Sequence, residues 1–277
     1  MNLLLITHGS RDPRYAASFE ALCARLRRDG HRARVGHLGL CGPDPAGAAA
    51  LLAADLAADG VAPGRERVAA VPMFLGHGYH VTQDVPAAVC TARAVLVSRA
   101  SLVAAAPLGP DPLLSEALDS RLRALGVWPG DPDVAVLLAS AGSSDPGVRA
   151  GMAGLARQWA RCGWHGVTAV YAAGAGPDAA EALAAARAAG AQCTVVAGYF
   201  LAPGRLADRV ALAAAGAPMS APFLTPADAD PALVRLVLRR ATQALEHEAP
   251  RRRERTRAGR PHPAQDASTR SRSAARS

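Results

Sequence analysis

Three histidines stand where a fold could bring them together. His8 closes an almost wholly apolar run, Asn2 to Thr7 (NLLLIT), and His77 and His80 follow a second apolar run, Val68 to Leu75, in the segment Gly76-His77-Gly78-Tyr79-His80. A neutral imidazole titrates near pH 6.5, so at pH 7 it can ligate a divalent transition metal or accept a proton. Other chemistries lack their residues. Neither a dinucleotide-binding G-x-G-x-x-G after the first strand nor a phosphate-cradling G-x-x-x-x-G-K-[ST] occurs, and the chain has no lysine. His8-Gly9-Ser10 also lacks the second glycine of a nucleophile elbow, so Ser10 reads as a polar turn residue or a substrate donor.

The runs that carry these histidines alternate with helical stretches. Asn2 to Thr7 precedes a helix opened by Asp12-Pro13 and lasting to about Asp29; Arg34 to Leu40 precedes Asp44 to Asp59; Val68 to Leu75 precedes a helix after His80; and Ser101 to Ala106 precedes Asp111 to Leu125. Short apolar runs alternating with helices predict a parallel sheet flanked by helices, an α/β fold. Ligands of such sheets bind beyond the carboxyl ends of the strands, and all three histidines fall there.

After the turn-rich linker Trp128 to Asp133 the pattern restarts. Thr7-His8-Gly9-Ser10-Arg11-Asp12-Pro13 is echoed 133 residues later by Ser140-Ala141-Gly142-Ser143-Ser144-Asp145-Pro146. Gly42-Pro43-Asp44 recurs as Gly176-Pro177-Asp178, Phe74-Leu75 as Phe200-Leu201, and Ala106-Pro107 as Ala221-Pro222. Two tandem half-domains are expected, 1–127 and 133–247, facing a central cleft. Ala141 falls opposite His8, and Phe200 to Leu206 opposite Phe74 to His80 without a histidine, so the second half should keep the scaffold and lack the metal chemistry.

Net charge is +8, but residues 249–277 hold nine arginines against two acids, leaving +1 for the rest. An Arg-, Ser- and Pro-rich segment with no apolar face is expected to be a disordered tail over 248–277, and the nearly neutral remainder argues against nucleic acid as a partner. No apolar run is long enough to span a membrane and no signal peptide is evident, so a cytoplasmic location is expected. The five cysteines form no C-x-x-C pair and are expected to be small buried thiols.

The segments LLLITHGSRDPR (Leu3 to Arg14) and VPMFLGHGYHVTQDVP (Val71 to Pro86) resemble the two signature segments of the sirohydrochlorin chelatases, in the cobalt- and iron-inserting class II chelatase family. The resemblance covers residues 1–245, more weakly in the second half. It implies insertion of Co²⁺ or Fe²⁺ into sirohydrochlorin for cobalamin or siroheme, by a monomer whose partners are the tetrapyrrole and the metal and which holds no tight cofactor. It assigns metal binding and proton transfer to His8 and His80 without saying which does which; His77 is an extra histidine outside the family pattern and a candidate third ligand. Arg11, and Arg205 on the matching rim of the second half, are candidates to hold substrate carboxylates, and Tyr79 to stack on the macrocycle. The chain departs from the family where the second strand usually ends in an acid: His37-Leu38-Gly39-Leu40-Cys41-Gly42 has none, leaving His37 or Asp44 to substitute. The alternatives are a non-catalytic tetrapyrrole or metal carrier and a phosphohistidine enzyme, although the latter carry arginine where Thr7 precedes His8.

Overall fold

A computed structural model describes residues 1–76 and 78–258, those of Tyr79 and 248–258 by backbone alone. The first half runs β1 (Asn2–Thr7), α1 (Pro13–Arg28), β2 (Arg32–His37), α2 (Pro45–Ala58), β3 (Glu66–Pro72), α3 (Tyr79–Thr82), α4 (Asp84–Leu96), β4 (Ala100–Ala104) and α5 (Pro112–Arg123). The second runs β5 (Val134–Ser140), α6 (Pro146–Ala160), β6 (Gly166–Tyr171), α7 (Ala179–Ala188), β7 (Cys193–Gly198), α8 (Arg205–Ala213) and α9 (Pro231–Ala258). The strands form two parallel sheets, ordered β2-β1-β3-β4 and β6-β5-β7. Beside β7 a single parallel bridge, Val196 to Met219, stands where the first sheet has its fourth strand.

Strand β1 is apolar throughout because both its faces are covered. Leu3 and Leu5 face a central core shared with Val136, Leu138, Trp159 and Leu233, while Leu4 and Ile6 face α2 and α4. The two halves are therefore joined by one continuous apolar layer. Helix α9 completes it by returning from the second half to pack on α5 and β3. Arg240 anchors that return, donating to the carbonyls of Pro107 and Leu108.

Helix starts repeat one device. Asp12, Asp44, Asp111 and Asp145 each cap a helix with the side chain accepting a backbone amide, with proline immediately following. Each cap contributes about 1 kcal/mol and fixes how the chain leaves the sheet edge.

Several boundaries differ from the sequence reading. Strand β2 ends at His37 rather than Leu40, because the chain turns back there and the His37 amide donates to Pro43 O. Strand β3 ends at Pro72, and His80 lies inside the short helix α3 rather than before a helix. Helix α9 continues past residue 248 to Ala258, through a run of Arg and Glu with good helix propensity; the rest of the expected tail, 259–277, lies outside the described residues. Of the cysteines only Cys23 is a buried thiol, its pKa pushed up to about 12 by burial; Cys90, Cys162 and Cys193 are exposed on outer surfaces. Among the described residues no helix is long and apolar enough to cross a membrane.

Candidate active site

The duplication acts as an internal control, because features present in both halves are scaffold. Gly9 and Gly142 adopt φ of 89° and 87°, and a Cβ on either would lie 1.9 Å from a carbonyl oxygen, of Gly39 and Ala173 respectively. Only glycine fits that left-handed approach. Ser10 Oγ accepts the Asp12 amide at 3.1 Å, and Ser143 Oγ accepts the Asp145 amide at the same distance. Asp44 and Asp178 cap the second helix of each half. Ser10 and Asp44 thus have structural duties that their counterparts repeat.

The two halves differ in the residues that carry chemistry. His8 projects from the end of β1 and His80 from α3, and their Nε2 atoms stand 3.1 Å apart, with the rings edge-on at 83°. Both outer nitrogens are engaged. His8 Nδ1 bonds Gly9 O at 3.1 Å, and His80 Nδ1 bonds Asp84 Oδ2 at 2.5 Å. A carbonyl and a carboxylate can only accept, so each Nδ1 carries a hydrogen and Nε2 is the nitrogen that each ring turns toward the other. Asp84, four residues after His80 at the start of α4, stands behind the ring, an arrangement also found where carboxylates orient metal-binding histidines. It lies within the Val71 to Pro86 segment, and its one sequence signal is the i,i+4 spacing.

This pair lines a crevice of about 440 Å³ with Leu38, Gly39, Asp44, Asp84 and Thr91. Among the described residues no three His, Cys, Asp or Glu side chains gather as a closed metal cage. His37 does not reach the crevice: it is 2% exposed, packs against Tyr15 and Phe19, and leaves Nδ1 without a partner. Burial lowers its pKa and keeps it neutral. Thr7, where phosphohistidine enzymes carry arginine, is fully buried and bonded to Tyr15.

A second, larger cleft of about 860 Å³ lies between the halves, lined by Leu75, Pro110, Leu114, Val148, Tyr171 and Tyr199 among others. On another seam between the halves, Arg14 of α1 bonds Asp208 of α8 at 2.5 Å. Arg11, before α1, and Arg205, at the start of α8, are both exposed. His77 lies outside the described residues, and Tyr79 is placed only by its backbone, in α3.

A duplicated pair of parallel sheets, with an imidazole pair at the carboxyl edge of one of them, defines a two-domain class II chelatase-like fold. Among solved structures, SirB from Bacillus subtilis with Fe³⁺ superposes with a TM-score of 0.67 at 21% identity, over 90% of this chain and 98% of that one. DR2241 from Deinococcus radiodurans, a multi-domain protein with structural similarity to chelatases, gives 0.63 at 21% identity over 88% of this chain and 55% of its own. CbiX, described as the terminal enzyme for siroheme biosynthesis in denitrifying bacteria, gives 0.55 at 18% identity, over 88% and 99%. No curated protein matches by sequence. The profile of the CbiX family matches residues 2–125 and 135–244, and the chain belongs to the CbiX family of sirohydrochlorin chelatases.

Proposed function

We propose that this protein inserts Co²⁺ or Fe²⁺ into sirohydrochlorin at the His8–His80 pair, with the macrocycle lying in the cleft between the halves. The observation that carries the reading is the approach of two Nε2 atoms to 3.1 Å, one ring held from behind by Asp84. Two nitrogens 3.1 Å apart can both reach one ion at about 2.1 Å with an N–metal–N angle near ~95°, the angle of adjacent ligands around an octahedral ion.

Insertion replaces two pyrrole N–H protons by one divalent ion. While imidazole holds the metal its lone pair is occupied; as the ion passes to the pyrrole nitrogens, the lone pairs of His8 and His80 are released and can accept the departing protons. Asp84 holds the His80 ring through Nδ1, so that Nε2 is the nitrogen turned toward the reacting centre. The mostly apolar cleft and its tyrosines suit the macrocycle plane, and exposed Arg11 and Arg205 are candidates to take rim carboxylates.

The test is an anaerobic absorbance assay of insertion with each metal in turn, without nucleotide. His8→Ala and His80→Ala are each expected to slow insertion at least about a hundredfold, as for loss of a positioned acid–base group. A double variant with near-native turnover overturns the assignment, and binding of tetrapyrrole and metal without turnover makes the protein a carrier instead.

A further inference from the structure

His8 is an exposed side chain on a strand end, and by itself such a residue has no reason to keep its ring aimed at His80. The structure supplies one beneath it. Tyr15, on the first turn of α1, turns its phenol back toward the strand end, where its oxygen is hydrogen-bonded to Thr7 Oγ at 2.5 Å. Thr7 directly precedes His8, so this partly buried hydroxyl holds the residue on which the histidine is mounted. Gly9 O in turn engages His8 Nδ1 at 3.1 Å. The phenol ring is held by Phe19, with ring centroids 4.9 Å apart.

The second half shows that the fold does not require this grip. At the offset of 133 that superposes Gly9 on Gly142 and Asp12 on Asp145, Tyr15 corresponds to Val148 and His8 to Ala141. Strand β5, the glycine turn and the Asp145 cap all form there without a phenol below the turn. Tyr171, which ends β6 as His37 ends β2, sends its hydroxyl elsewhere, donating to Arg149 O at 3.4 Å. The hydroxyl clamp is present only in the half that carries the histidine.

We propose that Tyr15 is a positioning residue for His8, holding Thr7 so that His8 Nε2 stays in register with His80 Nε2. The proposal rests on the chelatase reading for its consequence in turnover, but its first readout is metal binding without tetrapyrrole. Tyr15→Phe removes the hydroxyl and keeps the ring against Phe19; Thr7→Val removes the other end of the bond at nearly constant volume. Co²⁺ is titrated into each folded variant and followed by visible absorbance, and insertion kinetics follow.

Each variant is expected to bind Co²⁺ about tenfold more weakly, the low end for partners behind a metal ligand, and to lose about tenfold in kcat with KM for the tetrapyrrole unchanged. The double variant should be no worse than either single one, because both remove the same bond. A role confined to fold stability would lower Tm and leave the Co²⁺ affinity of the folded protein unmoved, and that result overturns the proposal, as do fully additive losses. Wild-type protein that neither binds nor inserts Co²⁺ refutes the chelatase reading instead, whatever Tyr15 does.

Discussion

Asp84 is the sharpest place to separate site chemistry from fold stability. Its carboxylate lies 2.5 Å from His80 Nδ1, with the two side chains 42% and 47% exposed. An ion pair that open to solvent contributes at most about 1 kcal/mol to folding, so its loss should lower Tm by no more than about 4 °C in a chain of this size. Its effect on the metal is larger, since loss of a partner behind a ligating histidine costs about 10- to 100-fold in affinity, equivalent to about 1.4 to 2.8 kcal/mol. The two substitutions divide that range. Asn retains an oxygen that can accept the Nδ1–H and keeps the tautomer, so Asp84→Asn removes charge alone and should cost about tenfold; Asp84→Ala also frees the ring to rotate and should approach a hundredfold. Co²⁺ titration by absorbance, single-turnover insertion and thermal melts on the same preparations give all three quantities. If Asp84→Ala binds Co²⁺ as wild type does, the carboxylate does not orient His80 and the account of the pair fails.

Arg205→Ala should raise KM for the tetrapyrrole several-fold with kcat unchanged, as for binding shared by ground and transition states; steady-state kinetics would reveal a kcat effect if the residue acted otherwise. His77→Ala should cost less than either His8→Ala or His80→Ala in the same assay. Deleting 249–277 should leave Tm and insertion nearly unchanged, whereas cutting before Arg235 removes the fully buried Leu236, Val237 and Ala241 and should prevent stable folding, as circular dichroism would show. Because burial holds the His37 pKa below its value in the unfolded chain, the unfolded state binds the extra proton first, and stability is lost as pH falls below about 6.5. Urea melts across that range should show a shallower acid limb for His37→Phe.

Much of this could be read from the chain because several signals coincide locally. Strand β1 is apolar on both faces, four helices open on Asp-Pro, and the glycine turn after the first strand recurs 133 residues later. His8 and His80 were legible because both follow buried strands on one edge. Asp84 was not, since an acid at the start of a helix is ordinarily explained by the helix dipole. Tyr15 was hidden for a similar reason: its partner lies on the preceding strand end, and a tyrosine in the first turn of a helix reads as packing. Strand β2 looked longer than it is because Leu38 and Leu40 extend its apolar alternation, while the close approach of Gly9 to Gly39 O that accompanies the bend is a contact between segments. The return of α9 onto β3 spans more than 160 residues and leaves no local mark.

The same internal comparison explains why a duplicated chain would present one working cleft. Helix α1 carries Arg14, Ser18 and Ala21 where α6 carries Gly147, Gly151 and Gly154. On the α1 side these positions are occupied: Arg14 reaches Asp208, and Ser18 is buried, donating to Arg14 O. On the α6 side the same helix face is pared to glycine and lines the cleft of about 860 Å³. Three missing side chains on one helix face are enough to turn a packed seam into a recess, because a packed interior leaves few voids of its own. Gly76, which lines that recess, lies four residues before His80 on the path from β3 to α3. On the proposed reading, the second half would contribute a wall of the cleft and the first half the ligands.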